Sequence, residues 1–189
     1  PPPESMDPSP TIWSHCLEHA ALSDVGMRRA NNQDAMTVAL ASNQESWRRR
    51  GHLFMVADGM GAHAAGELAS RLAADNIPLT YQKLADLPPP EALLRAVQEA
   101  NELIHRRGET SDDFRGMGTT TTALLLVPKG AIVAHVGDSR AYRLRSPWFD
   151  QLTFDHSLLW EMKAAGQSVL EQFYVPKNII TRSLGPNPT

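Results

Sequence analysis

HLFMVADGMGAHAAGE, residues 52–67, joins a short apolar run to an acid, a glycine and then a helical pattern. Residues 52–58 read as a buried β-strand that stops at Asp58, with Gly59 opening the turn behind it. A carboxylate in that position is fixed by a sheet yet faces a mouth, which gives a hard divalent cation rigid oxygen ligands with room left for water. Gly59 matters because bare backbone lets a carbonyl oxygen approach an ion or a phosphate. Taken singly, such an Asp-Gly is more often a solvated turn. Beyond it, Glu67, Leu68, Leu72, Ala73 and Ile77 recur at three- and four-residue steps. That spacing predicts an amphipathic helix from Ala65 to Ile77, closed by Pro78.

Working outward, the pattern repeats. AIVAHVGD (131–138) is a second apolar run ending in Gly137 and Asp138. It follows GTTTTALLLV (118–127), a strand by its Thr and aliphatic content, across the turn PKG (128–130). SRAYRLR (139–145) alternates and is expected to be the return strand of a tight turn at Gly137-Asp138. FDQLTFD (149–155) has strand character, and residues 157–166 look helical. Between the two β regions, EALLRAVQEANELIHRRGE (91–109) carries Leu93, Val97, Ala100 and Ile104 on one face. Pro90 suits its first turn, Arg106 and Arg107 suit its C-terminal dipole, and Gly108 is a stop. Upstream, residues 12–21 suggest an edge strand, 23–35 a polar loop, and WRRRG (47–51) a solvated loop tip. Hairpins beside long helices predict an α+β fold with antiparallel sheet.

Composition bounds the function. The chain has 189 residues, 42% of them hydrophobic, with 18 Lys+Arg against 21 Asp+Glu and a net charge of −3. One core is expected, and no broad positive field that would suit nucleic acid. The single cysteine, Cys16, permits neither an internal disulfide nor a cysteine zinc cluster, which suits a reducing compartment. No run of ~18 apolar residues predicts a membrane span, so the expected location is cytoplasmic. Residues 1–10, with five prolines, read as a flexible lead-in to a domain spanning 11–189. A start at Pro1 rather than Met suggests a piece of a longer polypeptide.

SDVGMRRANNQD (23–34), VADGMGAHAAGE (56–67), GMGTTTTALLL (116–126), AHVGDSRAYRLR (134–145), LTFDHSL (152–158) and ITRSLG (180–185) occur in an order and at spacings that resemble the type 2C metal-dependent protein serine/threonine phosphatases, in their bacterial form. The resemblance covers about residues 20–185. It implies a sandwich of two antiparallel β-sheets flanked by helices, with a binuclear Mg²⁺ or Mn²⁺ site at one end. On this basis Asp58 resembles the carboxylate bridging two metals, and Gly59 the residue whose carbonyl binds one of them. Asp34 resembles an acid of the metal shell, and Asp138 is similar to the aspartate serving a third, weaker ion. Arg29 resembles the arginine that grips the substrate phosphate, a role that suits its planar fork. His63, four residues after Gly59, is similar to a histidine that some members use as a proton donor.

The implied reaction is attack of a metal-activated water on phosphoserine or phosphothreonine in proteins, the products of a serine/threonine kinase. Other outcomes left open are a phosphatase-like binding module without turnover, and a regulatory phosphatase acting on an anti-anti-sigma-type phosphoprotein. The chain departs from the family pattern at Gln33, where Glu is usual, and at Ala62, where Gly is usual. It also lacks the later Ser-Asp-Gly and Gly-x-Asp-Asn turns, which carry two more ligand aspartates. The expectation is therefore a domain truncated at its C-terminus, with too few negative ligands to hold two cations strongly by itself.

Overall fold

A computed structural model describes residues 17–27, 29–62, 64–166, 176 and 179–188. His63, the lead-in at 1–10, Cys16 and the first half of the suggested edge strand at 12–21 lie outside these residues. The described remainder of that segment, 17–21, carries no strand.

Five strands form the main antiparallel sheet. β1 (Asp34–Ala39), β2 (His52–Met60), β4 (Thr121–Val127) and β5 (Gly130–Val136) lie in the order β1-β2-β4-β5, and the short β3 (Gly118–Thr119) pairs with the end of β2. β6 (Tyr142–Arg145) and β7 (Trp148–Gln151) form a separate two-stranded sheet. Helices α1 (Gln44–Arg50), α2 (Ala65–Lys83), α3 (Pro89–Gly108) and α4 (Leu158–Ala164) complete the fold. The class is α+β with two antiparallel sheets and flanking helices, as the sequence predicts.

Alternation along β2 sets the layers. Leu53, Met55 and Ala57 are buried with Ala69, Ala73 and Ile77 of α2 and Leu93, Ala96 and Ile104 of α3. Phe54, Val56 and Asp58, at the intervening positions, belong to the other face, where Val56 is exposed. A period of two thus sorts core from site within one strand.

The structure corrects four local expectations. Asp34 opens a strand rather than closing a loop, because residues 34–39 pair along their whole length with β2. WRRRG is not a solvated tip: it ends α1, and Arg50 is buried, donating to the carbonyls of Tyr81 and Leu87 with its guanidinium 3.9 Å above the Tyr81 ring. Helix α2 does not stop at Pro78 but runs to Lys83. Proline cannot donate to the carbonyl of Ala74 four residues back; the Thr37 hydroxyl of β1 donates to it instead, at 2.7 Å. Residues 139–145 do not return along β5, since β6 pairs with β7 across Ser146-Pro147.

Candidate functional site

The end of the β1–β2 ladder sets two acids face to face. Asp34 is the register partner of Asp58. Directly opposed residues of an antiparallel pair carry their side chains to one face with Cβ atoms about 4.5–5.5 Å apart. Like charges so placed repel. The Asp58 carboxyl is held above the usual carboxylate range, by burial first and by this repulsion second. The weaker charge of Asp138 adds to the effect, and Arg29 opposes it. Arg29 Nη1 stands 4.0 Å from Asp58 Oδ1, with both side chains about half exposed. A small cleft of about 200 Å³ opens over the pair, lined among others by Ser23, Met36, Val56 and Ser139.

The backbone around the acids is locked. The Gln33 carbonyl accepts the Gly59 N–H at 3.0 Å and the buried Ser70 hydroxyl of α2 at 2.6 Å. A Cβ on Gly59 would fall 2.0 Å from the Gly66 carbonyl oxygen, so at this contact only glycine lets the start of α2 reach the end of β2. On the other side, Thr120 N–H donates to the Asp58 carbonyl and the Asp58 N–H donates to Thr120 Oγ1, both at 2.9 Å. Thr120 Oγ1 also lies 2.8 Å from Ser139 Oγ, beside Asp138. Gly137, at φ +111°, lets that loop turn against Thr120. Arg140 then grips Asp155 through Nε at 2.8 Å, and the Gly137 N–H donates to His156 Nδ1 at 3.1 Å.

Of the six sequence-derived residues, Arg29, Asp34 and Asp58 come together at one sheet end, and Asp138 lies in the loop whose Ser139 is bonded to Thr120 opposite Asp58. Gly59 adjoins them, and His63 lies outside the described residues. Among the described residues, no three His, Cys, Asp or Glu side chains are gathered closely enough to hold a metal ion. The donor set nonetheless fits a hard divalent cation in kind: it offers oxygens only, two of its carboxylates repel each other, and Arg29 stands 4.0 Å from one of them. A cleft of about 1010 Å³ between α2, α3 and residues 181–188 carries no such pair of opposed acids. Sequence reasoning assigned no role to Thr120, Ser139 or Ser70. The four threonines of 119–122 were a signal only for strand, since the distant hydroxyl partners of Thr119, Thr120 and Thr122 lie on other segments.

The protein phosphatase 2C profile matches residues 19–158, most of the chain. The chain belongs to that family. Protein phosphatase PhpP of Streptococcus pneumoniae is 37% identical over 174 residues, which cover 89% of this chain and 68% of PhpP. The crystal structure of serine/threonine phosphatase Stp1 from Staphylococcus aureus superposes with a TM-score of 0.73 at 30% identity, covering 88% of this chain and 65% of Stp1. The catalytic domain of the phosphatase PstP in complex with two manganese ions gives 0.68 at 35% identity, covering 89% and 66%. The chain thus spans about two-thirds of the length of these relatives. It is a type 2C serine/threonine phosphatase domain of the bacterial kind, a family that depends on divalent metal and acts on phosphoproteins. Among the described residues, no helix is long and apolar enough to cross a membrane.

Proposed function

We propose that the protein carrying this chain removes phosphate from phosphoserine and phosphothreonine in proteins, using a binuclear Mg²⁺ or Mn²⁺ centre seated at the β1–β2 end. The observation that carries this is the opposition of Asp34 and Asp58 with Arg29 beside them. Asp58 and Asp34 would hold the ions with the Gly59 carbonyl, and Asp138 would serve a third. Such ions, when bound, supply a water of lowered pKa and neutralise charge on the phosphoryl oxygens.

The chain's own groups do the rest. Arg29 presents N–H donors in a planar fork that matches two phosphate oxygens. The locked backbone of Gln33, Gly59 and Gly66 keeps the acids from separating under their own repulsion. His63 is assigned the proton delivered to the departing Ser or Thr oxygen. Cys16 has no part, because a water attacks and no phosphoenzyme forms. The substrates would be targets of a cytoplasmic serine/threonine kinase, and further ligand acids would come from the third of the family length that this chain does not span.

The test uses the full-length protein and a phosphothreonine peptide. Hydrolysis is expected with Mn²⁺, is abolished by EDTA and is lost in Asp58→Ala. Full metal-dependent activity in Asp58→Ala would overturn the assignment.

A further inference from the structure

The ladder between β2 and the β3–β4 strand changes character at one residue. The registers Gly59↔Thr119 and Val56↔Thr122 place Asp58 directly opposite Thr120. A hydrogen-bonded antiparallel pair exchanges two backbone bonds. Here one is kept, from the Thr120 N–H to the Asp58 carbonyl. In the other, the Asp58 N–H goes to the Thr120 hydroxyl at 2.9 Å. Thr119 Oγ1 lies within bonding distance of the Thr120 carbonyl left over, at 2.9 Å.

Thr120 is 1% exposed, so its hydroxyl must find all its partners in the protein. Besides accepting from Asp58 it lies 2.8 Å from Ser139 Oγ. Thr122 Oγ1 reaches the Ser139 carbonyl at 3.1 Å. The methyl of Thr120 fills the space beside Gly137, where an added Cβ would come within 2.5 Å of it. One side chain thus touches the backbone of Asp58 with its oxygen, the hydroxyl next to Asp138 with the same oxygen, and the turn before Asp138 with its methyl.

We propose that Thr120 is a positioning residue that sets the spacing between the strand carrying Asp58 and the loop carrying Asp138, through the bond from the Asp58 amide to Thr120 Oγ1 and on to Ser139 Oγ. The proposal rests on the assignment of these aspartates as metal ligands. β-branching favours this role, because a threonine χ1 is stiff and a hydroxyl aimed at Asp58 stays aimed. Valine keeps the shape and the methyl contact with Gly137 and loses only the acceptor. The partly buried Asp58 amide then loses this acceptor, and the link to Ser139 is cut.

The experiment compares wild type, Thr120→Val, Thr120→Ser, Ser139→Ala and Asp58→Ala in the full-length protein. Mn²⁺ affinity is read by calorimetry, and exchange of the Asp58 amide hydrogen is followed in the metal-free protein. Groups that orient metal ligands typically govern ten- to hundredfold in metal affinity. Thr120→Val is expected to weaken Mn²⁺ binding by that much and to speed exchange at Asp58. Thr120→Ser is expected to stay within about threefold of wild type in affinity, by the same reasoning. Ser139→Ala is expected to weaken Mn²⁺ while leaving Asp58 protected.

Wild-type Mn²⁺ affinity in Thr120→Val, or unchanged exchange at Asp58, would overturn the proposal. Should Thr120→Val fail to fold, Ser139→Ala decides, and unaltered Mn²⁺ affinity there overturns it equally. If wild type and Asp58→Ala bind Mn²⁺ alike, the ligand assignment itself falls, a different result from one in which only the threonine variants behave like wild type.

Discussion

Neutralising Asp34 should stabilise the metal-free protein and destabilise the metal-loaded one. In Asp34→Asn the side chain keeps its size and loses its charge opposite Asp58. Two unit charges about 5 Å apart repel by roughly 0.8 kcal/mol in bulk water and about 3 kcal/mol at an effective dielectric constant of 20. The Asp58 side chain is 48% exposed, so the smaller figure is the better guide. About 1 kcal/mol remains, which agrees with the range for charged cross-strand pairs. For a domain of this size that raises Tm by about 2–4 °C in EDTA. The gain should shrink in molar salt, where the screening length falls to about 3 Å.

With Mn²⁺ the sign reverses. At a free concentration of about 100 times the wild-type Kd, binding adds about 2.7 kcal/mol to the wild type, whereas a variant bound a hundredfold more weakly gains about 0.4 kcal/mol. The difference outweighs the relief of repulsion, so the order of the two melting temperatures inverts between EDTA and Mn²⁺. Differential scanning calorimetry of both full-length proteins in both buffers makes the measurement. If Asp34→Asn melts below wild type in EDTA, the opposed acids do not strain the fold, and the reasoning from register to charge is refuted.

Three other outcomes are expected. Thr37→Val removes the donor to the Ala74 carbonyl and should cost about 1–3 kcal/mol in urea unfolding; in a Pro78→Ala background, where an amide N–H is restored, the cost should fall by at least about 0.5 kcal/mol, and equal costs in both backgrounds would contradict the role given to Thr37. Gly66→Ala places a Cβ 2.9 Å from the backbone of Gly59 and Met60, so it should lower stability by about 1–3 kcal/mol and weaken Mn²⁺ binding, both lost if that contact is loose. Hydrogen bonds from Arg140 hold the Asp155 carboxyl below its usual range; its stability is present above about pH 4 and is lost as pH falls through the depressed value, so Asp155→Asn should flatten the acid limb of a stability–pH curve, and an unchanged limb would count against the pair.

What could be read in the sequence was what depends on one segment at a time. The strands that carry or precede Asp58 and Asp138, the two long helices and the antiparallel class follow from local periodicity, although β2 runs past Asp58 to Met60, with Gly59 paired to Thr119, and β5 stops at Val136. Pairing partners were less legible. Alternation in YRLR says that a strand exists but not that it joins WFDQ rather than β5, although Pro147 between them was a turn signal. β1 is short and largely half-exposed, so DAMTVA becomes a strand only because β2 lies beside it. The helix at 44–50 had a signal too: Asn43 caps it and Ser46 reciprocates, a variant of the capping box. Pro78 reads as a stop to any local rule, and the donor that cancels the rule comes from Thr37, on another element.

The site inverts this relation between sequence and fold. Asp34 opposite Asp58 is a pairing that sheet energetics disfavour, and the half-exposure of Asp58 and the Arg29 guanidinium at 4.0 Å relieve it only in part. Gln33, Ser70, Gly59 and Gly66 pin the backbone so that the acids stay together. A chain selected only to fold would place a lysine or a threonine at one of the two positions and gain stability. Local rules broken at one place, with rigid packing arranged to hold the breach open, are what a binding site looks like from the side of folding. The ligand that removes the strain must carry positive charge and accept hard oxygens, and a divalent cation does both. The same physics that makes the metal-free end of β2 uncomfortable therefore makes it a place suited to hard cations.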